Sequence, residues 1–74
     1  MVSMDVTISL VMTDLVDLTA GAFKVKLATD DWGSHIEIQL EAHDDSSKVR
    51  KFIDKNYPSR RIIIMNVPPG FLKD

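Results

Sequence analysis

The chain contains no cysteine. That excludes disulfides and thiolate metal sites together, two of the usual supports of a very small domain. Its three glycines are scattered singly, so no glycine-rich phosphate loop exists. No apolar run approaches the length of a membrane span, and Met1-Val2-Ser3-Met4-Asp5 carries no cationic segment. The expectation is a soluble, cytoplasmic protein. There is no internal repeat and no low-complexity segment. No cofactor motif appears, and none is expected to bind.

What remains is ordinary globular material. The content is 45% hydrophobic and 27% charged, which argues against disorder. Residues 1–74 make one small α+β domain. A chain of this size buries only about 60% of the surface its unfolded form exposes, so its core is marginal. The net charge of −2 hides an asymmetry. Residues 1–45 hold nine acids against two lysines, whereas residues 46–74 hold seven bases against two acids. An acidic half packed on a basic half explains this without any polyanionic partner.

Hydrophobic spacing gives the expected elements. Val2, Met4, Val6, Ile8, Leu10 and Met12 alternate with Ser3, Asp5, Thr7, Ser9 and Val11, the period of a strand with one buried side. Residues 22–29 and 35–43 alternate in the same way, and Asp30-Asp31-Trp32-Gly33-Ser34 between them reads as a hairpin turn. The apolar link around Leu15, Val16 and Leu18 reads as a single helical turn before Gly21, or as a bent strand extension.

Asp44, Asp45, Ser46 and Ser47 offer N-cap oxygens, and Val49, Phe52, Ile53 and Tyr57 form one apolar helical stripe. Pro58 ends that helix near Asn56. A last strand runs from about Arg60 to Val67 and stops at Pro68-Pro69. The expected fold is therefore α+β in βββαβ order. It has a four-stranded, mostly antiparallel sheet with one helix packed on one face, and the last strand lies beside the first.

That last strand is apolar on both sides. Ile62 and Ile64 share one face; Ile63, Met65 and Val67 share the other. A single helix covers one of them. For the second, the tail with Phe71 and Leu72, the link Leu15-Val16-Leu18, or a partner would have to serve. Little chain is left after one helix, so the reading favours an intermolecular interface. Covering each such side chain is worth about 1.5–3 kcal/mol.

Candidate chemistry is sparse. His35 and His43 share a strand face with Glu37 and Glu41, but eight residues of strand separate the two histidines by about 27 Å, too far for one metal. Asp30-Asp31 and Asp44-Asp45 sit where turns and helix starts favour aspartate for local reasons. No metal site and no catalytic group follow, so the chain reads as a non-enzymatic protein-interaction module, of the kind that serves as a small regulator or inhibitor of a larger protein assembly. Its contact residues are Trp32, Arg60, Arg61, Ile63, Met65 and Val67, and a homodimer through the same stripe fits that reading. The competing reading is nucleic-acid binding through Lys48, Arg50, Lys51, Lys55, Arg60 and Arg61, with Tyr57 stacking on a base. An overall pI near 5.5 weighs against it.

Overall fold

A computed structural model describes residues 4–72. The elements run α1 (Met4–Leu18), β1 (Phe23–Asp30), β2 (Gly33–Leu40), α2 (Asp45–Asn56) and β3 (Ile62–Asn66). The sheet order is β1-β2-β3, with β1 antiparallel and β3 parallel to the central β2. This overturns the expected βββαβ order with four strands and one helix.

The first element causes the difference. Residues expected to alternate as a strand form the 15-residue helix α1 instead; Val2 and Ser3, also assigned to that strand, lie outside the described residues. The buried stripe of α1 is Thr7, Val11 and Leu15, spaced i, i+4, i+8. Those are odd positions, and Thr7 and Val11 were placed on the outer face of the expected strand. The even apolar positions Val6, Leu10, Met12 and Val16 are exposed. An alternation dense in apolar residues supplies contacts at period 2 and at period 3.6 alike. With no glycine or proline before Gly21, the backbone closes its hydrogen bonds locally. The expected short turn before Gly21 is the end of this one continuous helix, and among the described residues no strand precedes β1 for β3 to pair with.

The rest lies close to its expected place. β1 and β2 form the hairpin, in register from Phe23 opposite Leu40 to Asp30 opposite Gly33. Gly33 has φ +113°, a conformation that other residues adopt only with strain. The crossover from β2 through α2 sets β3 parallel to β2, with Ile36 beside Ile62 and Leu40 beside Asn66.

Both helices cover the same sheet face. The core joins Val11 and Leu15 of α1 and Val49 and Ile53 of α2 to Val25, Ile36, Ile38, Leu40 and Ile62 of the sheet. Asp44 makes no side-chain capping bond to α2. The Asp45 carboxylate is buried and turns instead to the loop after α1, where the Ala20 and Gly21 N–H groups donate to it. At that loop the chains approach closely: a Cβ on Gly21 would stand 2.8 Å from Ala42 Cβ. Tyr57 closes α2 by donating its N–H to Ile53 O and its hydroxyl to Asp14 of α1.

Candidate interaction face

With both helices on one side, the other side of the sheet is left to its own side chains. The pairing register lays them out in three columns. β1 contributes Lys24, Lys26 and Ala28; β2 contributes His35, Glu37, Gln39 and Glu41; β3 contributes Ile63 and Met65, continued by Arg61 before them and Val67 after. The two middle rows are each a cation, a polar group and an apolar group, Lys26-Glu37-Ile63 and Lys24-Gln39-Met65.

The central polar column is the covered one. His35 is 5% exposed and Gln39 8%, whereas Ile63 at the margin is 36% exposed. Lys26 reaches from β1 to the middle strand, and the polar groups there bind one another. Gln39 Nε2 donates to Glu37 Oε1 at 2.9 Å, and Lys26 Nζ lies 3.6 Å from the same oxygen. His35 sits between two carboxylates, with Nδ1 3.6 Å from Asp30 and Nε2 3.7 Å from Glu37. Its buried Nδ1 has no hydrogen-bond partner. His43, expected on the same strand, is exposed beyond the end of β2. Among the described residues no group of three or more histidine or carboxylate side chains is placed to hold a metal.

The ends of the face differ. At the hairpin end, both Arg61 guanidinium arms donate to the Asp30 carboxylate, one at 2.9 Å, and one reaches Gly33 O at 3.3 Å. This pair holds the Asp30 carboxyl at about 2, chiefly through the Arg61 hydrogen bond, and raises the Arg61 guanidinium further. Trp32, whose N–H donates to Asp30, projects from the same turn with 83% of its surface exposed. At the opposite end the tail turns back, and Glu41 accepts the N–H groups of Gly70 and Leu72, each at 2.9 Å. Ala22, Glu41, Gly70 and Leu72 line a cleft of about 350 Å³ there.

The expected contact residues are thus distributed unevenly. Ile63, Met65 and Val67 stand in one column, with Arg61 and Trp32 at its hairpin end. Arg60 lies before β3, half-buried, its N–H donating to Tyr57 O. The tail meets the face at Glu41, in the neighbouring column of β2, rather than at Ile63 and Met65, and Phe71 is 60% exposed. The link around Leu15 gives no cover, because Leu15 belongs to the core on the other side.

The alternative basic set is divided. Lys48, Lys51 and Lys55 are exposed on α2, Arg50 pairs with Asp54, and Arg61 is held by Asp30. Tyr57 is tied to Asp14, with burial and that carboxylate raising its hydroxyl. Glu41 as a clamp on the tail was not legible beforehand, since no spacing links it to Gly70. No family model, curated protein or solved structure matches the chain. No helix among the described residues is long and apolar enough to cross a membrane.

Proposed function

We propose that the chain is a non-enzymatic protein-interaction module that acts as a small regulator or inhibitor of a larger protein, through the sheet face the helices leave open. One observation carries the reading. A domain with too little core to waste apolar surface keeps Ile63, Met65 and Val67 in one column on the side without helical cover, and a nearly bare Trp32 in the turn at the hairpin end of the sheet. Tryptophan is over-represented among the residues that anchor interfaces, and an apolar patch rimmed by polar groups is the form such anchors take. Lys24 and Lys26 on one margin and Arg61 at the end supply the rim.

The test is capture from cell extract on immobilised protein, followed by a salt wash. The reading expects a discrete protein that survives high salt and is lost with Trp32→Ala and with Met65→Lys, while both variants keep the wild-type circular dichroism. Retained nucleic acid that washes off steeply with salt, and is lost with a Lys51→Ala, Lys55→Ala pair, would replace this reading with the phosphate-binding one.

A further inference from the structure

Sheet edges expose backbone groups as well as side chains, and the two edges of this sheet differ. The bonds from Ile36 N to Arg61 O and from Val67 N to Leu40 O fix which residues of β3 face β2. Residues 61, 63, 65 and 67 turn their backbone groups inward, so Ile62, Ile64 and Asn66 aim their N–H and C=O groups away from the sheet. Among the described residues nothing pairs with those of Ile62 and Ile64. From Ile62 to Val67 this edge carries no charge, and no proline interrupts it before Pro68. Natural edges are normally guarded by lysine, proline or a bulge. The β1 edge has that guard in Lys24 and Lys26; the β3 edge does not.

From this we infer that β3 pairs with β3 of a second copy, antiparallel about a two-fold axis at Ile64, giving a continuous six-stranded sheet. Charge selects this occupant. The β3–β3 register that uses every outward group sets Ile62 opposite Asn66, Ile64 opposite itself and Ile63 opposite Met65, and no like charges meet. The equivalent β1–β1 register sets Phe23 opposite Thr29 and Lys26 opposite its own copy, which is repulsive. Pairing β1 with β3 leaves an edge open at each end and grows filaments, whereas the two-fold arrangement closes. The inference rests on backbone geometry and stands apart from the proposed function. Its consequence for that reading is that two apolar columns merge into one band across the middle of the dimer.

Light scattering over a roughly hundredfold concentration range is the first test, since dimers follow mass action. Twice the 8.3 kDa chain mass is expected; a mass of 8.3 kDa throughout overturns the inference. The second test uses the absence of native cysteine. Under mild oxidation Ile64→Cys is expected to cross-link two copies, because directly opposed residues in a hydrogen-bonded pair lie about 5.5 Å apart at Cα. Stacking of two open faces would instead cross-link Ile63→Cys and leave Ile64→Cys, on the helix side, unlinked; that pattern also overturns the inference. A monomer that still loses its partner protein with Met65→Lys would sink the dimer alone and leave the interaction reading intact.

Discussion

The carboxylate of Asp45, in the first turn of α2, accepts the Ala20 N–H with both oxygens at 3.0 Å, across 25 residues of sequence. One of those oxygens also takes the Gly21 N–H at 3.1 Å. A buried charge therefore closes the loop after α1 and joins the two helices at one end. Hydrogen bonds to a charged group are worth about 1.5–3 kcal/mol, and losing the acceptor strands two donors. Asp45→Ala is expected to cost about 2–3 kcal/mol in urea unfolding, and Asp45→Asn roughly half of that. No loss in either variant would mean that water serves the loop equally well.

Neighbouring positions in α1 give a direct check on its helical form. Val11 is fully buried and Met12 is 44% exposed. Val11→Ala should destabilise by about 1.5–3 kcal/mol, and Met12→Ala by under about 1 kcal/mol. A strand with the even positions inward would reverse the order.

Acid should weaken the Asp30–Arg61 pair in a defined window. The Asp30 carboxyl lies at about 2 when folded, below the ordinary 3.8. A depressed carboxyl contributes stability that is fully present above its unfolded value and is lost as pH falls through the folded one. The contribution should therefore fade between about pH 4 and pH 2. NMR titration of Asp30 in wild type and in Arg61→Ala measures this; the variant should titrate higher than wild type, with the Arg61 hydrogen bond gone.

Glu41 should act on the tail more than on the fold. In Glu41→Ala, amide exchange at Gly70 and Leu72 is expected to quicken, with global stability lowered by about 1 kcal/mol. Unchanged exchange at both amides would show that the Pro68–Leu72 turn holds itself, through the Phe71 N–H to Pro68 O bond.

Much of this architecture is local and was legible from residue order. The hairpin follows from alternation on either side of Asp30–Gly33, α2 from the Val49-Phe52-Ile53 stripe and the break at Pro58, and β3 from its isoleucines and terminal prolines. Even the division of β3 into Ile62 and Ile64 toward the helices and Ile63, Met65 and Val67 away from them needs only the two-residue period of a strand. Residues 4–18 resisted, because their apolar positions satisfy two periods and only packing distinguishes them: burying Val11 and Leu15 in one core with Val25 and Ile38 covers a sheet face that α2 alone leaves open. The same tertiary choice set β3 beside β2, buried His35 and Gln39 under their neighbours, and brought Asp45 to Ala20 and Glu41 to Gly70. Local spacing determines which residues share a face of one element. Which element covers which face depends on contacts between distant segments, where the folded chain's burial and hydrogen bonding decide.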